Sequence, residues 1–320
     1  MRTDRFSVQL QLLDDCNLRC SHCYGAGDVH APPPTTRELF HRIDRVVEFC
    51  AELRARPAFH LSGGEPTLRH DLPELVEHIS RRHSCAALLM TNGLRMSCDY
   101  VRRLKSCGLA YVQVSLEGPE ALNDEVRGRG AYRAAMRAIE MLIECGLRVT
   151  LSVTVTGRNY PELRDFVRNL DELAVHFHLR EVMPIGRGVS CNELSPTQRR
   201  ELYAWAIGYR GASTVALEDP IHCSIDPAYA AECCGCVAGV NHFCVDVDGA
   251  IYPCRPLRIP VGHIDALSEA WHSQTMDRIR RRDFDGDCGR CTLRGSCGGC
   301  RVHAMLGGSL IWLRSQVFLP

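Results

Sequence analysis

The chain predicts an α/β fold in two parts: six strand–helix units building a parallel sheet with helices outside, then a small cysteine-rich domain. Three observations predict it. Apolar spacing switches between the strand and helix periods every 25 to 35 residues or so through the first half. Short Gly-rich or polar motifs follow the strands. Beyond about residue 190 the alternation stops, and Cys and Gly dominate a stretch too poor in apolar periodicity to build a large core, so metal has to organise it. The expected parts are residues 1–190, a linker with a helix at 191–229, and a cysteine-rich domain at 230–320.

Element by element, "FSVQLQLL" (6–13) alternates as a strand. Residues 35–54 place Leu39, Ile43, Val46, Val47, Cys50 and Leu53 at helical spacing, with Thr35 or Thr36 as N-cap. "AFHLSGG" (58–64) is a strand ending in glycines, and 71–82 a helix capped by Asp71. "CAALLMTNG" (85–93) is a strand, followed by a helix at 97–108 that Gly108 stops. "LAYVQVSLEG" (109–118) is a strand, and 132–146 a helix stopped by Gly146. A strand at 147–156, a helix at 160–173 and a sixth strand at 174–184 complete the set. A last clear helix spans 195–209. Asp248-Gly249 signals a hairpin, and 288–300 reads as loop. Ligands of parallel sheets bind at the carboxyl ends of the strands. The cysteine loop after the first strand, "SGGEPT", "MTNGL" and "SLEG" should therefore converge on one rim.

Lys plus Arg and Asp plus Glu both number 38, so the formal net charge is zero. That gives no nucleic-acid footprint and no polybasic membrane face. No apolar run is long enough for a span, and the N-terminus lacks signal-peptide features. A cytoplasmic protein is expected, so its 19 cysteines mean metal or redox chemistry rather than disulfides. Cys50, Cys85, Cys98, Cys107 and Cys145 sit in apolar patterns and read as small buried hydrophobes. Cys191 receives no role.

Cys16, Cys20 and Cys23 form a C-x3-C-x2-C loop. One reading is a zinc site completed by His22 or a distant residue. The other is a cubane iron–sulfur cluster on three thiolates, whose fourth iron is open to a ligand. Here the chain resembles the radical S-adenosylmethionine (radical SAM) superfamily. The cysteine loop, "GGEP" (63–66), "TNG" (91–93) and "SLEG…RG" match its motifs in order. The resemblance implies a partial (β/α)6 TIM-like barrel and a 4Fe–4S cluster on Cys16, Cys20 and Cys23 that binds SAM. Gly63 and Gly64 would let the backbone approach the methionine moiety of SAM, and Glu65 would accept from its ammonium group. Ser115 and Arg127 would contact its ribose or carboxylate. His22 stands where the family usually has an aromatic ring. The implied chemistry is reductive cleavage of SAM to a 5′-deoxyadenosyl radical that abstracts hydrogen from substrate.

Two further groups are Cys236, Cys244 and Cys254, and Cys288, Cys291, Cys297 and Cys300. A zinc ribbon is one reading of the second. In context both resemble the SPASM extension of radical SAM enzymes, which implies one or two auxiliary 4Fe–4S clusters. The first would take Cys236, Cys244, Cys254 and Cys300. The second would take Cys288, Cys291 and Cys297 and lacks a fourth cysteine downstream; His303 is nearby, but a lone histidine on a short helix reads as solvated. Cys223, Cys233 and Cys234 are unassigned, with Cys234 an alternative to Cys236.

The subgroup resembled spans peptide maturases and heme-biosynthesis enzymes. The leading expectation is net oxidation or cross-linking of a ribosomally made peptide, with a flavodoxin or ferredoxin-like reductant. No N-terminal peptide-recognition domain precedes the first strand, so a separate peptide-recognition protein is a further expected partner. The alternatives are tetrapyrrole side-chain modification, a sulfatase-type protein maturase, and a non-catalytic iron–sulfur electron-transfer or sensor protein. Arg187 in "MPIGRG" reads either as a partner for a substrate carboxylate or as a surface turn.

Overall fold

The computed structural model describes residues 5–25, 31–218 and 235–305. Cys223, Cys233 and Cys234 lie outside them. The six predicted strands form: β1 Arg5–Gln11, β2 Arg56–Ser62, β3 Ala86–Thr91, β4 Leu109–Ser115, β5 Arg148–Val155 and β6 His176–Glu181. Between them run α1 Thr36–Glu52, α2 Leu72–Glu77, α3 Cys98–Ser106, α4 Glu120–Arg127, α5 Ala131–Glu144 and α6 Tyr160–Asn169, and α7 Pro196–Gly208 follows β6.

Local chemistry sets these boundaries. Thr35 and Glu38 form a reciprocal capping box at the start of α1. Gly108 (φ +99°) and Gly146 (φ +67°) end α3 and α5 in the left-handed region. Asp71 precedes α2 but does not cap it with its side chain. Its carboxylate instead accepts from Arg69 and the Thr36 hydroxyl.

The sheet exceeds the expected six strands. β7 Thr214–Leu217 pairs parallel with β6, inside the stretch expected as linker. At the other edge β8 His242–Val245 pairs parallel with β1. β9 Ala250–Tyr252 and β10 Gly262–His263 continue antiparallel. The order is β10-β9-β8-β1-β2-β3-β4-β5-β6-β7. The predicted hairpin turn joins β8 to β9, with Gly249 at φ +90°.

Strand alternation divides apolar from polar. Phe6, Val8 and Leu10 of β1 are buried in the core that the helices cover, as are Phe59, Leu61, Val112, Val114, Leu151 and Phe177. Their neighbours, set side by side by the register, are mostly polar: Gln9 beside Cys244, Gln113 beside Thr150, Ser152 beside His178, with Leu88 beside His60 the apolar exception. His60 of β2 feels His178 of β6 and Glu218 beyond β7, and His242 of β8 feels His60. Groups so far apart in strand order meet only if the sheet curls, so the polar face lines a barrel lumen. Phe6, Phe49, Phe243 and Trp271 pack edge to face or tilted at 5.2–6.5 Å, joining β1, α1 and β8 to the C-terminal segment.

Candidate active site

The lumen opens at the carboxyl ends of the strands into a cavity of about 1140 Å³, its mouth included. Strand residues Gln11, Ser62, Met90, Gln113, Ser152 and Arg180 line it, as does the predicted Ser115. Cys16, Cys20 and Cys23 border the same cavity, as do Gly63, Gly64, Glu65 and Arg127. The motifs read from sequence therefore share one rim.

The three thiols are mutually close: Cys20 feels Cys23 and Cys16, and burial raises the pKa of both Cys20 and Cys16. A single tetrahedral zinc at about 2.3 Å from each sulfur needs thiolates under about 4 Å apart. Among the described residues, the one trio of His, Cys, Asp or Glu ligand atoms within 4.8 Å of one another is Asp44, His78 and His83. The cysteine loop thus suits a multi-iron cluster better than one ion. Donors face its sulfurs: the Leu18 N–H lies 3.5 Å from Cys16 Sγ and Arg127 Nη1 3.8 Å from Cys20 Sγ. His22, the fourth ligand of the zinc reading, is engaged elsewhere, with Nε2 3.2 Å from Glu117.

The glycines of "GGEP" serve the loop directly. A Cβ on Gly64 would lie 2.0 Å from the Asp15 carbonyl oxygen, and one on Gly63 2.4 Å from that of Leu13. Their absence lets Gly64 N–H donate to Leu13 O at 2.7 Å and Glu65 N–H to Asp15 O at 2.9 Å, which fixes the chain entering Cys16. Glu65 is buried; it accepts from Thr67 N–H and hydroxyl, Thr91 hydroxyl and Asn92 N–H at 2.7–3.1 Å. It ties the ends of β2 and β3 together.

Arg127 stands at the last turn of α4, a helix the sequence reading passed over because "EALNDEVR" carries little apolar pattern. Its guanidinium pairs with buried Glu117. Glu117 also takes His22 and accepts from Thr154 N–H at 2.7 Å. Despite the cost of burial, Arg127 and His22 pull its pKa down to about 2. Arg187 is exposed on a helical turn, Gly186–Ser190, as the surface-turn reading expected, and it does not line the cavity. Its Nε donates to Cys20 O at 2.7 Å and its N–H to Cys23 O at 3.0 Å, so it clamps the cysteine loop. Tyr24, Arg180 and Arg255 also line the cavity and were missed. Tyr24 sits among Arg180, Arg255 and Cys244, with its phenol pKa raised by burial.

Of the remaining cysteines, Cys254 is half-buried next to Cys236, Cys300 and Cys244, and desolvation raises its pKa. These are the four residues expected to share the first auxiliary cluster. Cys244 lies on β8, where Gln11 Nε2 is 3.9 Å from its sulfur. Cys236 N–H donates to Cys297 O at 3.1 Å, joining the two cysteine groups. In the second group Cys291 Sγ accepts from Leu293 N–H at 3.1 Å and Cys297 Sγ from Gly299 N–H at 3.4 Å. Residues 288–300 are not plain loop: Gly286–Arg290 and Thr292–Gly295 are short helical turns. His303 is buried at 3% exposure, not solvated. Only Leu257, Ile279 and Val302 form the buried core described around Cys254 and Cys300. Of the five expected hydrophobes, Cys50 and Cys85 are buried, Cys107 and Cys145 half-buried, and Cys98 is exposed.

The Radical SAM superfamily model matches residues 10–170, half of the chain, across these motifs. The chain belongs to the radical SAM superfamily. A second model, the SPASM iron–sulfur cluster-binding domain, matches residues 234–292. The chain is 31% identical over 293 residues to mycofactocin maturase of Mycolicibacterium smegmatis, covering 86% of this chain and 72% of that one. It is 29% identical over 311 residues to AdoMet-dependent heme synthase of Methanosarcina barkeri, covering 89% and 87%. Among solved structures, Streptococcus suis SuiB bound to S-adenosylmethionine superposes with a TM-score of 0.76 at 16% identity, covering 94% of this chain and 74% of that one. anSMEcpe with bound AdoMet gives 0.73 at 19%, covering 93% and 89%. These likenesses are of fold. As a radical SAM enzyme with a SPASM domain, the protein uses SAM, a SAM-binding 4Fe–4S cluster and auxiliary iron–sulfur centres. No helix among the described residues is long and apolar enough to cross a membrane.

Proposed function

We propose that this radical SAM enzyme performs a net oxidation or cross-link on a ribosomally made peptide. Cys16, Cys20 and Cys23 would hold the SAM-binding cluster, with Gly63, Gly64, Glu65, Ser115 and Arg127 around SAM. Cys236, Cys244, Cys254 and Cys300 would hold the first auxiliary cluster, and Cys288, Cys291 and Cys297 part of a second. A flavodoxin or ferredoxin-like protein would deliver the electron. When bound, SAM and its cluster supply one-electron, hydrogen-abstracting chemistry.

One observation carries the oxidative reading. The cavity is bordered by the three-cysteine loop and also by Gln11, Tyr24 and Arg255, which lie near Cys244 or next to Cys254 in sequence. A substrate seated there would be near both the hydrogen-abstracting centre and the residues that pack around the proposed electron-accepting cluster. Arg127 and Glu117 hold the loop's sulfurs in place, and Arg187 anchors its carbonyls.

The lining favours peptide over tetrapyrrole. Gln11, Gln113, Ser115, Ser152 and Thr154 offer neutral hydrogen-bonding groups suited to amides. Each arginine described there already faces a carboxylate: Arg127 with Glu117, Arg180 with Glu218, Arg255 with Asp246. A polyanionic macrocycle would have to displace those partners. The kinship with mycofactocin maturase supports the same reading, while that with heme synthase names the competitor. The test is anaerobic turnover with an iron-loaded enzyme, SAM and either a short peptide encoded beside the gene or an iron-coproporphyrin. A peptide product that has lost hydrogen, formed alongside 5′-deoxyadenosine, is expected. Turnover of the tetrapyrrole alone would replace the proposal.

A further inference from the structure

On the outer wall of the barrel, away from the cavity, Asp44 of α1 meets two histidines. His78 Nε2 lies 2.7 Å and His83 Nε2 2.6 Å from the same oxygen, Asp44 Oδ1. The imidazoles are largely buried, at 11% and 17% side-chain exposure, while Asp44 keeps 35%. All three ligand atoms lie within 4.8 Å of one another.

The backbone beneath them is unusual. After α2 the chain widens into a π turn over His78–Arg82. In an α-helix, residues five apart project about 140° from each other and share no face. The i to i+5 bonding of a π turn sets such residues almost one above the other. The turn is thus what brings His78 and His83 to one carboxylate, and such turns concentrate at functional sites. The rings are also held. His78 stacks on Phe40 at 4.1 Å with planes 11° apart, and His83 meets His78 edge-on at 5.1 Å.

Two imidazoles and one carboxylate form a donor set that zinc and similar divalent ions take, with a further position left for water. Ligands about 2.0–2.1 Å from a tetrahedral ion stand about 3.3 Å apart. The observed 2.6 and 2.7 Å contacts need only open by about 0.6 Å to admit one. The exposed flank of Asp44 gives the entry path. We propose that Asp44, His78 and His83 bind a divalent ion of the zinc class, cross-linking α1 to the π turn. None of the three lines the cavity, so the site is separate from it and independent of the substrate proposal.

The test uses the enzyme with its clusters installed anaerobically. Wild type, His83→Gln and Asp44→Asn are equilibrated with micromolar zinc, freed of excess and assayed for zinc and iron per chain. Zinc affinity is then measured by competition with a chromophoric chelator. About one more zinc in wild type than in either variant, at equal iron, is expected, with affinity at least tenfold weaker in the variants. Equal iron shows that cysteine-bound zinc is common to all three and cancels. His83→Gln keeps an amide able to hydrogen-bond Asp44, so a triad that is only hydrogen-bonded would leave zinc content unchanged. Equal zinc in all three proteins would overturn the proposal.

Discussion

At the scale of single residues, the site is governed by buried charge. Glu117 is 1% exposed and carries a carboxylate that Arg127, His22 and a backbone N–H all require. Removing one charge of a buried pair strands the other. Glu117→Gln should therefore destabilise the protein by about 3 kcal/mol at neutral pH. The pH dependence has a definite sign. The folded pKa of Glu117, about 2, lies below the ordinary glutamate value, so its stabilisation is complete above about pH 4.3. It is lost as pH falls from there through about 2. Anaerobic urea unfolding of both proteins should show a gap that is constant near neutrality and narrows in acid. A gap independent of pH, or absent, would refute the assignment. Sequence alone could not supply this: Glu117 was visible in "SLEG", but its partners come from α4, the cysteine loop and β5.

At the scale of elements, short connections do the positioning. "GGEP" and the chain before Cys16 touch backbone to backbone because two side chains are missing. Gly64→Ala would set a methyl 2.0 Å from a carbonyl oxygen that cannot swing away, so the two segments must part. The variant is expected to fold, with unchanged far-UV circular dichroism, yet to retain cluster iron poorly and cleave SAM at least tenfold more slowly. Wild-type iron content and cleavage would show that the contact is dispensable. These elements were legible. Helical spacing gave α1, α3, α5 and α6, and glycine positions gave the ends of α3 and α5. Cys16, Cys20, Cys23, Gly63, Gly64, Glu65, Ser115 and Arg127 were named from motifs, and all border one cavity. The illegible elements were short or polar. β7 and β8 have four residues each, too few to show a period. α4 is mostly polar, and the clamp made by Arg187 is a tertiary contact across 167 residues.

At the scale of the molecule, the two cysteine-rich regions belong to one sheet. β8 pairs with β1 and puts Cys244 beside Gln9, so a residue of the auxiliary set projects from the barrel wall itself. A cluster held by Cys236, Cys244, Cys254 and Cys300, which lie close together, would tie that wall to the last described helix, where few apolar residues are buried. Periodicity predicted that this segment would lack a core; it gave no hint that its first strand would extend the barrel. The central claim is that the N-terminal three-cysteine loop binds and splits SAM, and that the C-terminal cysteines serve a later electron. The most direct measurement is 5′-deoxyadenosine release from SAM under strong reductant, made anaerobically on iron-loaded wild type, Cys20→Ala and Cys300→Ala, with iron counted in each. Wild type should release it, Cys20→Ala should not, and Cys300→Ala should still do so while carrying about four fewer irons. Release by Cys20→Ala at the wild-type rate, or none from fully loaded wild type, would contradict the account.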